Sequence, residues 1–286
     1  MLAHRDTDLV RAAAVMRAVE LMRADPSGPH RLHQLARAGR YSPFHFHRIF
    51  REVTGLTPAS YLAAVRMAYA RRLLVYSDLA VAQISREVGY QSLGAFTSQF
   101  GRLAGVSPLR FRNLMSAMRQ VTVGELLPSL ATNGGHGPHA LAPRHEEGRQ
   151  CTVTLTGGTA GPALVMAGLL PAGSLGPGPN WRVFTSEAAR LRLPTPARDG
   201  AYSALVVTVP AYACLVDTFV DHSPGGYLIG ATETRFPADH DNIQVQVRQP
   251  RRTDPPVLGT APVRWLAYGA VEMAAAAPAR VRAAVA

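Results

Sequence analysis

Lysine is absent from this chain of 286 residues, and cysteine occurs only twice, at Cys151 and Cys214. The missing lysine reads as base composition and carries no argument about phosphate geometry. Two cysteines make no disulfide framework and no Cys-x-x-Cys pair, so they are expected to be buried, reduced thiols in strand-like runs. Long apolar runs are missing too. No uncharged stretch approaches the ~20 residues a membrane span needs, and no basic start leads into an apolar block, so neither a membrane segment nor a secretory signal is expected. A cytoplasmic protein is the reading. No nucleophile elbow, phosphate loop or His-Glu-x-x-His appears, and we expect no catalytic residue and no cofactor. His45 and His47 lie two apart and point to different sides of a helix, while His136, His139 and His145 stand in a Gly/Pro-rich stretch, so no metal site is expected. Asp217, Asp221 and His222 share one turn region and read as a solvated loop.

Positive charge, by contrast, is plentiful and unevenly placed. Residues 1 to 120 hold 17 Arg against 7 Asp plus Glu, a net +10, whereas residues 121 to 286 hold 13 against 12, a net +1. The excess therefore belongs to the first part of the chain, as for a surface that meets phosphate.

The same part contains a degenerate repeat. In Tyr41 to Gly55 the apolar residues Phe46, Ile49, Phe50 and Val53 recur at helical spacing, leaving Phe44, His47, Arg48 and Arg51 on the outward face. Ser42 and Pro43 read as an N-cap with proline at the first helical position. Upstream, Leu32, Leu35 and Ala36 form a short second stripe that ends near Gly39 and Arg40. Two short helices around so tight a turn are the ingredients of a helix-turn-helix, whose second helix enters the major groove. Tyr90 to Gly105 repeats the plan: Leu32 maps on Val81, Leu35 on Ile84 and Tyr41 on Tyr90 at an offset of 49, then Phe46 on Phe96 and Phe50 on Phe100 at 50. Between the copies, Pro58 to Tyr76, capped by Thr57, reads as one helix of roughly 30 Å, against about 34 Å between successive major-groove faces. A supporting helix is expected from Asp8 to Ala24 after a frayed start, and a closing helix from Pro108 to Met118.

These motifs in this order resemble the DNA-binding domain of the AraC/XylS family of bacterial transcription regulators. The resemblance covers about residues 8 to 114 and rests on the Gly-Arg-Tyr-Ser-Pro turn at 39 to 43, the linker helix, Val-Gly-Tyr-Gln-Ser at 88 to 92 and Gly-Val-Ser-Pro-Leu-Arg-Phe-Arg at 105 to 112. Arg40 stands where the family usually has the turn glycine, and Gly39 beside it is expected to take up the strain. The resemblance implies a homeodomain-like, all-α tandem helix-turn-helix that binds double-stranded DNA. It further implies activation of transcription more often than repression, with RNA polymerase as a possible partner.

On the first reading helix, Arg48 is placed to donate two hydrogen bonds to guanine O6 and N7, His47 to reach a base edge and Phe44 to pack on a thymine methyl. Arg51, one turn on, suits a phosphate. On the second, Gly94, Thr97, Ser98 and Arg102 are the candidate contacts. Small side chains there discriminate weakly, so the first copy is expected to carry most of the specificity and the second mainly to position the duplex.

Residues 119–149, rich in Gly, Pro and His, read as a linker. From Cys151 the apolar period falls from 3.6 to 2. Candidate strands are 151–156, 163–169, 182–185, 190–193, 201–209, 227–234 and 242–248, separated by Gly/Pro turns, which argues for an antiparallel β-sandwich over 150–260. It loosely resembles prealbumin-like or carboxypeptidase-regulatory-like sandwiches. The Ala-rich tail, 261–286, reads as disordered or weakly helical. The whole is a multidomain α plus β chain, with residues 8–118 as the DNA-binding part and the sandwich sensing a small-molecule effector, pairing subunits in a homodimer, or engaging another protein. Two rivals stand beside this reading: a ligand-sensing or enzymatic sandwich fused to a DNA-binding domain, and a DNA-binding protein of low specificity.

Overall fold

A computed structural model describes residues 2–125, 127, 149–158, 161–174, 182–185, 190–220, 226–237 and 242–256. The chain forms two compact units. The first is residues 1–96 with 173–175 and 251–257; the second is 97–172, 176–250 and 258–286.

Seven helices occupy the amino-terminal part: α1 (Leu2–Ala24), α2 (Leu32–Gly39), α3 (Pro43–Thr54), α4 (Pro58–Tyr76), α5 (Val81–Glu87), α6 (Leu93–Ala104) and α7 (Pro108–Ala117). α1 begins at Leu2 rather than near Asp8, because neither glycine nor proline interrupts the chain before the Asp25-Pro26 stop. One core joins the first four helices. Val15, Ala18, Val19 and Met22 of α1, Leu35 and Ala36 of α2, Phe46, Ile49 and Phe50 of α3, and Tyr61, Leu62 and Val65 of α4 are buried together. Each large side chain hidden there contributes about 1.5–3 kcal/mol relative to exposure. The inward stripe of α3 is thus committed to packing, which fixes the opposite stripe outward.

The repeat holds at the level of single hydrogen bonds. Gln34 Oε1 accepts from the Arg31 N–H at 3.0 Å, and Gln83 Oε1 from the Ala80 N–H at 2.9 Å. Ser42 Oγ accepts from His45 N at 3.4 Å, and Ser92 Oγ from Ala95 N at 3.2 Å. Thr57 caps α4 as Ser107 caps α7. The Phe50–Tyr61 ring pair, 5.4 Å between centroids, reappears as Phe100–Phe111 at 5.5 Å. Each copy is therefore the same turn chemistry read twice.

In the second unit the strands are β1 (Gln150–Thr156), β2 (Ala163–Pro171), β3 (Arg182–Thr185), β4 (Arg190–Pro194), β5 (Gly200–Pro210), β6 (Leu228–Phe236) and β7 (Asn242–Gln246). They form two sheets, β4-β1-β7 and β3-β2-β5-β6. Val153, Leu191, Leu193, Ile243 and Val245 of the first share one core with Val165, Ala167, Leu169, Ala204, Val206 and Phe236 of the second, so the sheets pack face to face. One pair departs from the antiparallel expectation: β1 and β7 run parallel, Val153 opposite Ile243. They are far apart in sequence, so no hairpin constrains their direction. The sheets are also joined edge to edge, since Ile229 bridges Arg248 and Thr232 Oγ1 donates to the Gln244 carbonyl at 2.8 Å. Gly230 sits at this seam, where a Cβ would lie 2.5 Å from the Gln246 oxygen.

A short helix that the sequence pattern did not suggest, α8 (Leu215–Val220), follows β5 and carries Asp217 on its exposed side. Asp221 and His222 fall outside the described residues. The start of the stretch expected as linker is bonded into the second unit: Val123 N donates to Ala213 O at 2.9 Å and Leu215 N to Val121 O at 3.0 Å, because Val121 and Val123 are apolar and fully buried. The remaining linker, 128–148, with its three histidines, and the tail from 257 on fall outside the described residues. Cys151 is buried as expected; Cys214 is only half-buried, at a bridge to Thr122 rather than in a strand, with Sγ donating to the Arg119 carbonyl at 3.4 Å. Residues 251–256, within the stretch 150–260 read as the sandwich domain, group with the first unit.

Candidate nucleic-acid interface

The site grows from the turn between α2 and α3. Arg40 adopts φ 61°, ψ 38°, the left-handed region, and its N–H donates back to the Arg37 carbonyl at 3.0 Å. The strain expected at Gly39 is therefore carried by Arg40. Gly39 is helical and buried, where a Cβ would lie 3.2 Å from the Phe46 ring, so its smallness serves packing. A left-handed conformation costs a non-glycine residue about 1–2 kcal/mol. Tyr41 N then donates to the Ala36 carbonyl at 3.0 Å, Ser42 caps, Pro43 opens α3, and the helix closes at Gly55 with φ 75°.

This geometry brings the predicted residues of the first copy to one face. Phe44 is 85% exposed, a large apolar side chain held in water at the amino-terminal end of the helix. Arg48 and Arg51 are exposed and His47 is half-buried. Arg48 Nε lies 3.7 Å from Glu52 Oε1, with both side chains more than half exposed. Such a pair is worth about 0–1 kcal/mol, so it yields readily to a stronger partner. Arg51 lies beside Gly173, whose Cβ position is 3.4 Å from Nη2. His45 is turned to the side, its ring edge-on to Tyr41 at 5.0 Å.

The second copy presents a different face from the same frame. Leu93, Gly94, Ala95, Ser98 and Arg102 are exposed and Thr97 half-buried, while Phe96 and Phe100 are fully buried. Arg102 Nε donates to Gln99 Oε1 at 3.3 Å. A Cβ on Gly101 would meet nothing within 4 Å, so this side of α6 is open and smooth. The first face is cationic and bulky; the second is small and weakly polar.

Sequence reasoning assigned the left-handed turn to Gly39 and not to Arg40. The signal was available in the repeat, because the offset of 49 places Arg40 on Gly89, and Gly89 takes the same left-handed turn with φ 82°. Among the described residues, no three His, Cys, Asp or Glu side chains come together as a metal site. Nor is any helix there long and apolar enough to cross a membrane.

A family profile described as a helix-turn-helix domain matches residues 35–114. The chain is 33% identical over 93 residues to the bifunctional transcriptional activator/DNA repair enzyme AdaA of Bacillus subtilis, an overlap of 32% of this chain and 44% of that protein. To the MmsAB operon regulatory protein of Pseudomonas aeruginosa it is 35% identical over 81 residues, covering 28% and 26%. To the melibiose operon regulatory protein of Escherichia coli it is 36% identical over 76, covering 27% and 25%. Among solved structures, the DNA-binding domain of AdpA in complex with a target DNA is 29% identical, with a TM-score of 0.36 over 37% of this chain and 96% of that one. The chain spans between 25% and 44% of the length of these curated relatives. Residues 35–114 thus carry a helix-turn-helix domain.

Proposed function

We propose that this protein is a sequence-specific DNA-binding transcription regulator that acts in the cytoplasm and sets its two reading helices in adjacent major grooves. The observation that carries the reading is the outward face of α3, where Phe44 stands 85% exposed in line with Arg48 and Arg51. It belongs to a segment of net charge +10. An isolated apolar ring held in water beside two arginines suits a groove floor of thymine methyls and guanine edges better than it suits solvent. In this reading Arg48 exchanges Glu52 for guanine O6 and N7, His47 reaches the next base edge, and Arg51 meets a phosphate. Gly94 lets α6 approach the backbone closely, Thr97 and Ser98 donate to phosphate or base edges, and Arg102 neutralises a phosphate at the flank. α4, with 19 residues, spans about 28 Å, close to the distance between groove faces. The reading assigns no catalytic step.

The regulators it resembles act on named operons or as an activator, which favours control of a promoter over general DNA packaging. The β unit serves as the effector-sensing or subunit-pairing part, and RNA polymerase is a partner of the bound form. Selection of bound duplexes from a random pool by the full-length protein tests the whole: a recovered motif with one information-rich half supports it. A pool that stays random through successive rounds removes it, and leaves the low-specificity alternative.

A further inference from the structure

We infer that Arg40 is a phosphate-binding residue of the first reading head, gripping the DNA backbone at the edge of the groove that α3 enters; this rests on the DNA-binding reading above. The protein supplies its own control. The α2–α3 turn and the α5–α6 turn have the same register and the same capping chemistry, and both need a left-handed residue at one position. The second copy fills it with Gly89, where no side chain fits, since a Cβ would lie 2.7 Å from the Ser27 carbonyl oxygen. The first copy fills it with arginine despite φ 61°, a conformation that glycine adopts without strain. Strained residues held by their surroundings cluster at binding sites, where the strain accompanies a functional side chain.

The surroundings point the same way. Arg40 is exposed, and among the described residues no carboxylate pairs with it, whereas Arg48 on the same head is paired with Glu52. It stands two residues before the Ser42 cap. If the first residues of the reading helix reach bases, the chain just before its cap lies at the groove wall, where phosphates are. A guanidinium there can donate two parallel hydrogen bonds to one phosphate. Base edges lie deeper, at the level of Phe44 and Arg48. The two heads then differ by one more phosphate contact in favour of the head that reads sequence.

The test compares full-length wild type with Arg40→Gly, Arg40→Asn and Arg40→Lys on two duplexes, the best selected site and a random 30-base-pair sequence. Arg40→Gly is expected to unfold at a temperature no lower than wild type. It should bind both duplexes about three- to tenfold more weakly at ~0.15 M salt, with the slope of log affinity against log salt shallower by about one. Arg40→Asn, which also tolerates the left-handed turn, should show the same loss, and Arg40→Lys should recover most of it. Unchanged affinity and slope in Arg40→Gly overturn the inference while leaving the DNA-binding reading intact. A loss confined to the selected duplex also overturns it, since that marks a base contact. Wild type that binds neither duplex sinks the reading and the inference together.

Discussion

The Arg66 guanidinium lies 5.8 Å from the centre of the Tyr90 ring, and the same side chain donates to the carbonyls of Pro26 at 2.9 Å and Gly28 at 3.0 Å. One residue of α4 therefore holds the loop that ends α1 against the turn that opens the second copy. The loop is already shaped before Arg66 reaches it. Asp25 accepts from Ser27 Oγ at 2.6 Å and from Gly28 N at 3.0 Å, and the Ser27 hydrogen bond keeps the Asp25 carboxyl below its ordinary pKa. Replacing Arg66 by Met keeps the stem and removes the bonds. Charge-assisted hydrogen bonds of this kind contribute about 1.5–3 kcal/mol in all, so Arg66→Met should lower stability by about 2 kcal/mol in urea unfolding. A value within about 0.5 kcal/mol of wild type, the usual range for surface substitutions, means the contact is idle.

Base reading should be concentrated in the first copy. Arg48→Ala is expected to cost about 1–3 kcal/mol on the selected site and to relax preference at one or two base positions. Ser98→Ala should change affinity by less than about 0.5 kcal/mol and leave the preferred sequence alone. Binding measured across a set of single-base variants separates the two. If Ser98→Ala shifts the motif while Arg48→Ala weakens every duplex equally, the division of labour between the heads is reversed.

Glycine at 230 is required by the seam between the sheets. An alanine there would place its methyl 2.5 Å from the Gln246 oxygen and 2.7 Å from Val245 Cγ1. The first neighbour is backbone and cannot swing aside, so Gly230→Ala should cost about 3 kcal/mol, the upper end for an overpacked core. Thermal unfolding followed by near-ultraviolet dichroism would register it, and a midpoint equal to wild type would show that β6 and β7 do not approach so closely.

Tyr61 makes stability fall at alkaline pH. Its hydroxyl hydrogen is shared between the Arg252 carbonyl at 3.3 Å and the Asp254 carbonyl at 3.2 Å, and its oxygen accepts from Arg23 Nη2 at 3.2 Å. Burial raises its pKa above the ordinary 10.0, with the Asp254 charge adding to the rise and Arg23 opposing it. The folded state therefore holds the proton after the unfolded chain has released it. The linked stability is complete below the unfolded pKa and is lost as pH rises through the folded one. Unfolding measured from pH 9 upward should show this loss in wild type and not in Tyr61→Phe. At neutral pH Tyr61→Phe should lie about 1 kcal/mol below wild type for the lost hydrogen bonds. Parallel curves for the two proteins above pH 10 exclude the tyrosine as the source.

The sequence by itself settled most of the elements and the faces of their apolar stripes. Ser42-Pro43 and Thr57-Pro58 mark where α3 and α4 begin, because a hydroxyl before proline satisfies the free N–H groups that a helix start leaves behind. The alternation of Ile243, Val245 and Val247 placed one side of β7 inward, since side chains on a strand alternate by geometry. The outward face of Phe44, Arg48 and Arg51 followed from the inward commitment of Phe46, Ile49 and Phe50. All of these depend on residues a few positions apart, and local spacing is what a sequence displays. Long-range matters were left to the tertiary structure. The parallel pairing of β1 with β7 and the seating of Arg252 and Asp254 on Tyr61 each depend on partners remote in the chain, which packing and not local spacing selects.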